Sequence, residues 1–457
     1  MTSSPTEARA GPRTGMGLRD LGAMSAYWFG LSITWGSLTT IVLPRLVEQF
    51  VPAAIKTSAL SLIGALQALV SIIVQPMSGA ASDHLVTPWG RRRPLMVAGV
   101  AVQTVLIVLL TVAGAYWAIL VVMLGIELAS NTAQGPYQGL LPDMVPPGER
   151  GLASGFLGAG LLAGQVVGVA LGGVALAAGD VSLAVSFSAG ALVVGTVVTV
   201  ATMRETAGRA GGGRLEPVDW VRELLHPSRW ATPIRRIVLE VWGRDVLEHR
   251  DYLWLLASRL AILMAAGTLQ PFAYYYLEDA LGLGANAGLA FVPLAGLVAL
   301  VALISAVPGG AMTAHWGRVR TVALSAASGL VGALLFAVAP NYPSLFLIAI
   351  PFGLALGVFL SADWALLTDV APLDQAGRYL GLSNTVTAGA GFLAVALGGP
   401  IADLVNRFRF GLGYRAIFVL AAIEFAVGAW GVLHVHEPRI GVAALGPDER
   451  PLGTGDA

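Results

Sequence analysis

Glu127, Asn131, Gln134 and Gln138 stand in the run Gly125 to Arg150, GIELASNTAQGPYQGLLPDMVPPGER, with long hydrocarbon stretches on either side. Counted from Glu127, the other three follow at spacings that put all four on one helical face. A carboxylate at the centre of a bilayer costs roughly 2.5–3.5 kcal/mol on insertion scales. In a membrane-crossing helix this face therefore lines a polar path and does not meet lipid. A carboxyl so placed can take up and release a proton, which makes Glu127 the candidate proton-coupling residue. Asn131, Gln134 and Gln138 are candidates for hydrogen bonds to a polar substrate. The competing reading of Glu127 is a structural carboxyl, held neutral and bonded to a neighbouring helix.

Enzyme chemistry has no foothold in the chain. There is no Gly-rich phosphate loop, nucleophile elbow or metal-ligand spacing, and with 57 glycines, chance glycine pairs are uninformative. The absence of cysteine removes disulfides, thiolate metal sites and cysteine nucleophiles. No enzyme activity, cofactor, metal or nucleic-acid partner is expected. His315 lies in a loop with no cluster around it.

The elements that must carry these side chains are transmembrane helices. The 457 residues are 56% hydrophobic and 12% charged, with a mean hydropathy of +0.74. A soluble domain carries about 25% charged residues. Apolar runs of about 20 residues, the length that spans a bilayer, recur along the chain, and the period-two alternation of a membrane barrel is missing. The reading is an all-α membrane protein of twelve spans, at 21–50, 57–82, 94–113, 116–140, 152–178, 181–203, 253–278, 287–311, 319–339, 343–366, 376–402 and 414–434.

With the N-terminus inside, Arg45, Lys56, Arg407, Arg409 and Arg415 lie outside and Arg259 lies within a helix. The other 21 of the 27 Lys/Arg are cytoplasmic. That bias predicts cytoplasmic termini in a cell-membrane protein. Every cation but Lys56 is arginine, which reads as compositional habit. The domain expectation is a disordered tail at 1–20, six-helix bundles at 21–203 and 253–435, a cytoplasmic linker at 204–252 and a second tail at 436–457. Within the linker, Ile234, Ile237, Val238, Val241 and Trp242 recur at helical spacing opposite Arg235, Arg236, Glu240 and Arg244, the pattern of an amphipathic surface helix.

The two bundles repeat one another. QGLLPDMVPPGERGLASG from Gln138 lies over WALLTDVAPLDQAGRYLG from Trp364, pairing Asp143 with Asp369. Gly90-Arg91 likewise meets Gly317-Arg318 at nearly the same offset. Two loops repeating at one spacing indicate a duplicated fold. The loop GAASDHLVTPWGRRRP holds Gly79, then Asp83 four residues on, then Gly90-Arg91. This pattern resembles the cytoplasmic signature of the major facilitator superfamily. Gly79 would let helices approach, and Asp83 and Arg91 would latch the halves through charge-assisted contacts. Arg92 and Arg93 need only satisfy the positive-inside rule.

The six residues between Asp83 and Gly90, the GRRRP, and the spacing of Glu127, Asn131, Gln134-Gly135-Pro136 and Leu140-Leu141-x-Asp143 are similar to the sucrose–proton symporters and related glycoside–cation symporters. By that resemblance Glu127 is the coupling acid, where those proteins use aspartate. Gln138 stands where they place an arginine tied to sugar recognition, which sets sucrose itself aside but not sugar-like substrates.

Further candidates are weaker in their sequence signal. Gln270, Asn384 and Trp364 could contact substrate. Arg259 and Asp363 lie at similar depth on helices seven and ten and could form a cytoplasmic gate pair; snorkelling is the alternative for Arg259. Tyr274, Tyr275 and Tyr276 read as an interfacial aromatic belt. Glu424 in the last helix is a rival acid or a structural one. The expected function is proton-coupled symport of a sugar or glycoside by a monomer working through alternating access. The competing readings are a proton-driven exporter of drugs or metabolites, favoured by an apolar, aromatic cavity, and a non-transporting receptor or scaffold.

Overall fold

The computed structural model describes residues 17–85, 87–145, 150–203, 246, 248–370 and 376–436. The expected amphipathic helix of the linker and both tails beyond these bounds lie outside the described residues. A backbone in lipid must satisfy its own hydrogen bonds, and helices do so locally. Twelve apolar helices long enough to cross a membrane follow one another: α1 (Leu18–Phe50), α2 (Lys56–His84), α3 (Arg93–Leu109), α4 (Tyr116–Met144), α5 (Arg150–Ala177), α6 (Val181–Thr202), α7 (Arg250–Ala280), α8 (Ala287–Trp316), α9 (Arg318–Val338), α10 (Ser344–Val370), α11 (Ala376–Asn406) and α12 (Leu412–Val432). The expected spans fall on these twelve, with boundaries displaced by a few residues.

Two helices depart from regular α geometry. The middle of α1 widens into π turns over Trp35–Val42. The last third of α7 breaks after Leu269, where Pro271 supplies no backbone donor; a 3-10 turn at Gln270–Phe272 is followed by π turns at Tyr276–Ala280.

The helices pack as two copies of one bundle. α1 packs on α5 and α6, α2 on α4, and α3 on α4 and α6; six helices later, α7 packs on α11 and α12, α8 on α10, and α9 on α10 and α12. The halves meet along α2–α11 and α5–α8, two pairs that exchange under the same shift of six. The repeated loops agree down to the backbone. Gly90 and Gly317 have φ of 105° and 85°, a conformation that glycine alone adopts readily. Close helix approach rests on small residues. Along α5, Gly160, Gly164, Gly168 and Gly172 recur every fourth position against the α1 backbone.

The bundle has two ends, one holding the α1–α2 and α7–α8 turns and the other the α2–α3 and α8–α9 turns. The halves are joined at the α1–α2 end. There the Ser58 amide and Thr57 hydroxyl of α2 donate to the Asp403 carboxylate of α11, and the Tyr275 hydroxyl of α7 donates to the Pro44 carbonyl of α1. Gly173 of α5 faces Gly288 of α8. Midway along α2–α11, Val395 packs on Gly64. Asn384 lies three turns further on the same face of α11, yet it is exposed. Among the described residues, the two halves part toward the α2–α3 end.

Candidate functional site

The polar stripe of α4 meets a matching stripe on α2. Gln67 Nε2 donates to Glu127 Oε2 at 3.4 Å, Ser71 Oγ to Asn131 Oδ1 at 2.9 Å, Gln75 Nε2 to Gln134 Oε1 at 3.5 Å, and Ser78 Oγ to the Asn131 carbonyl at 2.8 Å. Within α4, Asn131 Nδ2 donates to Glu127 Oε1 at 2.7 Å and Gln134 Nε2 to Ser130 Oγ at 2.9 Å. Asn131 and Gln134 are thus buried, at 1% and 3% exposure, while Gln138 at the α2–α3 end is exposed. The stripe avoids lipid as expected, but for Asn131 and Gln134 the partner is α2 and not an open path. The α2 stripe escaped sequence reading, although Gln67, Ser71, Gln75 and Ser78 carry the helical spacing that would have revealed it. Glu127 is half-buried and receives neutral amide donors only; no Lys, Arg or His pairs with it among the described residues.

At the α2–α3 end, Asp143 closes the N-terminal half. Arg91 Nη2 and Arg92 Nε reach Asp143 Oδ2 at 2.6 and 2.7 Å, and Arg92 Nη1 donates to Ser82 Oγ at 2.9 Å. Arg92, expected only to satisfy the positive-inside rule, is 6% exposed and lies over Gly139, where a methyl group would meet its guanidinium. These contacts hold α3 to α4 within one half. Asp143 lies beyond the apolar span of its helix, which ends at Leu141. Burial alone would raise its carboxyl, but the bonds from Arg92 and Arg91 hold it below the usual carboxylate range. The side chains of Asp83 and of Asp369, its counterpart across the repeat from Asp143, lie outside the described set. Arg318 donates to the Ala365 carbonyl at 2.9 Å, joining α9 to α10 as Arg91 and Arg92 join α3 to α4. Gly79 faces Gly135 across α2–α4, and the glycine that the close approach requires is Gly135, since a methyl group at Gly79 would meet only ordinary contacts.

Arg259 and Asp363 do meet, as an ion pair between Nη1 and Oδ2. Arg259 does not snorkel: it is 5% exposed and also donates to Thr387 of α11. The pair lies inside the C-terminal half and joins α7 to α10. Beside it, a cavity of about 440 Å³ runs between α5, α7, α8 and α10. Its walls are apolar and aromatic, with Phe291, Phe336, Phe352 and Phe418 among them; Gln165 and Gln270 supply amides. Trp364 and Asn384 are exposed near the α2–α3 end. Glu424 is buried against α7, accepting from Thr268 Oγ1 at 3.0 Å.

The α1–α2 end holds a cluster that sequence reading missed. Lys56, the chain's one lysine, is 2% exposed. Its amine pairs with Glu48 of α1 and, across the boundary between halves, with Asp279 at 2.7 Å and Glu278 at 3.9 Å. It lies 4.3 Å above the Tyr275 ring, and the Tyr414 hydroxyl donates to Asp279 at 2.5 Å. Glu48, Glu278 and Asp279 come close enough together to hold a metal ion, and the Lys56 amine stands among them. Tyr274, Tyr275 and Tyr276 are buried at 1%, 0% and 2%, so they form no belt. Their hydroxyls bond to Glu278, Pro44 and Phe336. The signal available was the uniqueness of Lys56 in an otherwise arginine-only set.

Known proteins agree with this architecture. The sucrose transport protein SUC4 of Arabidopsis thaliana is 30% identical over 189 residues, 37% of this chain and 36% of that protein. The match therefore spans about a third of that relative. The multidrug efflux pump Tap of Mycolicibacterium fortuitum is 24% identical over 426 residues, 88% of this chain and 92% of that protein. Among solved structures, a bacterial homolog of the human lysosomal transporter Spinster, inward-facing and unoccupied, superposes with a TM-score of 0.69 at 13% identity, over 92% of this chain and 98% of that one. The peptide transporter POT does so with a TM-score of 0.67 at 16% identity, over 92% and 95%. Those two likenesses speak for the fold. The family model of the Major Facilitator Superfamily matches residues 21–395 and again 294–452, so this duplicated twelve-helix membrane protein belongs to that superfamily of transporters and is not an enzyme.

Proposed function

We propose that the chain is a proton-coupled symporter of a sugar or glycoside, working as a monomer in the cell membrane with both termini cytoplasmic. On that orientation the α1–α2 end faces outward, and the closed outer end with parted helices below it is an inward-open state. One observation carries the coupling: Glu127, deep in α4, is held by Asn131 and Gln67 with no cation paired to it among the described residues. A carboxyl bonded only to neutral amides can exist with or without its proton, and the two forms weight the inward and outward states differently. Gln138, Gln270, Asn384 and Trp364, exposed or lining the cavity, are the substrate candidates that the α2–α4 seam does not take up. Partial likeness to a sucrose transport protein supports the sugar class.

The apolar cavity favours a second reading, a proton-driven exporter of lipophilic molecules, and likeness to a multidrug efflux pump over most of both chains supports it. Uptake of labelled sugars and of a lipophilic cation into proteoliposomes, with and without an inward proton gradient, separates the two. Gradient-driven uptake of a sugar, lost in Glu127→Gln while sugar exchange without a gradient persists, is the expected result. Movement of the cation alone would put the exporter in its place.

A further inference from the structure

Glu424 stands midway along α12, 6% exposed, and coupling at Glu127 makes no use of it. Its Oε2 accepts from Thr268 Oγ1 of α7 at 3.0 Å, while Oε1 is buried with no hydrogen-bond partner among the described residues. Phe425 beside it packs on Gly329 of α9, and Gly428, one turn on, lies against Ile262 and the Ser258 carbonyl of α7. Among the described residues no cation reaches this seam. On α7 the nearest is Arg259, about two and a half turns from Thr268 and engaged with Asp363 and Thr387. On α9, Arg318 and Arg320 lie in the first turn, at the α2–α3 end. On α11, Asp403 accepts from α2, and on α12 itself Arg415 donates to the carbonyls of Ala337 and Ala339. A carboxyl enclosed in this way, with one hydroxyl beside it and no opposite charge, keeps its proton.

The repeat shows that the fold does not need an acid here. In the matching joint of the N-terminal half, Gly195 of α6 lies against the Ala26 carbonyl of α1, as Gly428 does against that of Ser258. In that register Glu424 corresponds to Ala191, and Thr268 to Thr34 within one residue. Thr34 Oγ1 donates to the Ser188 carbonyl at 3.3 Å. A threonine and a backbone carbonyl close that joint, so packing is not what Glu424 supplies. Its partner is placed to matter: Thr268 stands in the last regular turn before α7 breaks at Gln270–Phe272. Gly267 and Gln270 line the cavity, and beyond the break Tyr275 and Asp279 join the halves at the α1–α2 end.

We infer that Glu424 is a second proton-binding site of the transporter, occupied while the α1–α2 end is closed and vacated as that end opens. Movement of the far part of α7 about its break parts the seam at Thr268 and lets water reach Glu424, and a hydrated carboxyl releases its proton. By linkage, the proton on Glu424 stabilises the closed end, so raising the pH favours opening. Glu127 lies on α4 in the other half, and the inference holds whichever substrate the chain moves.

The test compares chains with and without Glu424→Gln, each carrying a cysteine at Ser61, which is 2% exposed beside Gly399 at the α1–α2 end. A membrane-impermeant maleimide labels it from about pH 6 to 9, and the ratio of the two rates at each pH cancels the titration of the thiol itself. Glutamine mimics the protonated acid, so the ratio is near one at the acid end. It rises at least threefold toward the alkaline end, within the ceiling of about tenfold per pH unit for one linked proton. The same rise is expected when both chains also carry Glu127→Gln. A flat ratio, or a rise that vanishes with Glu127→Gln, would overturn the inference. A second measurement needs no variant: dicyclohexylcarbodiimide, which is apolar and attacks protonated carboxyls, is reacted with the wild type and located by mass spectrometry. Modification of Glu424 at about pH 6 that falls toward pH 9 is expected. Modification that does not fall, or none at the acid end, would mean a carboxyl with no titration in the cycle and would overturn the inference.

Discussion

The Lys56 amine lies 2.7 Å from Asp279 across the boundary between the two halves, at the end of the bundle where they close. Glu48 holds the same amine from its own half, and the Asp403 carboxylate accepts from the first turn of α2 alongside. Free backbone donors in a helix's first turn are ordinarily capped by a residue of the same helix; here a residue of the opposite half does it. Opening this end would break the ion pairs and uncap α2 together.

Removing one partner of a buried ion pair typically costs about 3–5 kcal/mol, because the other charge is left stranded. Lys56→Met should therefore weaken the closed end and shift the population toward the state open there. The absence of native cysteine allows a clean probe: a cysteine placed at Ser61, 2% exposed beside Gly399, labelled by a membrane-impermeant maleimide. Labelling at least about tenfold faster in Lys56→Met than in the parent is expected, since 1.4 kcal/mol corresponds to a factor of about ten. Equal rates would show that the cluster does not hold this end shut. Lys56→Arg should restore slow labelling only in part, because the site fits a compact ammonium above the Tyr275 ring and not a planar fork.

Close approach of α2 and α4 makes a sharper distinction between two glycines. A methyl group at Gly135 would stand 2.5 Å from the Gln75 carbonyl and 2.6 Å from the Gly79 nitrogen, both backbone atoms that cannot step aside. At Gly79 the nearest atom would be the Gly135 carbonyl oxygen at 3.6 Å, an ordinary contact. Gly135→Ala should lower the melting temperature of the detergent-purified protein substantially, in line with the roughly 1–3 kcal/mol of overpacking. Gly79→Ala should leave it nearly unchanged. Equal effects would mean that the seam between α2 and α4 yields where its backbone contacts say it cannot.

Much of this was legible before any coordinates. Twelve apolar runs and the lipid-avoiding stripe of α4 follow from periodicity, which a bilayer enforces strongly because unpaired polar groups have no water to turn to, and the six-helix duplication follows from two loops that repeat at nearly one spacing. The meeting of Arg259 with Asp363 was also readable, from matching depth on two helices. The partners of the stripe were not, since an amide facing a cavity and an amide facing another helix have one spacing. The Lys56 cluster was hidden for a different reason. It joins Glu48 to Asp279 over more than two hundred residues of chain, through helix ends that carry no periodic signal. Arg92 was misjudged because burial over Gly139 depends on α3 and α4 touching, a fact of packing and not of charge count.

The Asp143 latch carries a pH signature whose direction is fixed by its geometry. Arg92 and Arg91 hold the carboxyl below its ordinary range despite burial, so the folded form binds its proton less readily than the unfolded chain does. The stabilisation is therefore complete above the unfolded value of about 3.9 and is lost as pH falls through the depressed folded value. Asp143→Asn removes the charge but keeps the shape. Its melting temperature should fall below that of the wild type by a constant amount between about pH 5 and 7, where Asp143 is ionised in both states. The gap should close on acidification below about pH 4 as the wild type loses the same ion pairs. Because Asp143 is partly open to water, the constant gap should be modest and should shrink in high salt. A gap that widens toward low pH would mean that the carboxyl is destabilising where it stands, and that Arg91 and Arg92 hold α3 against α4 through some other contact.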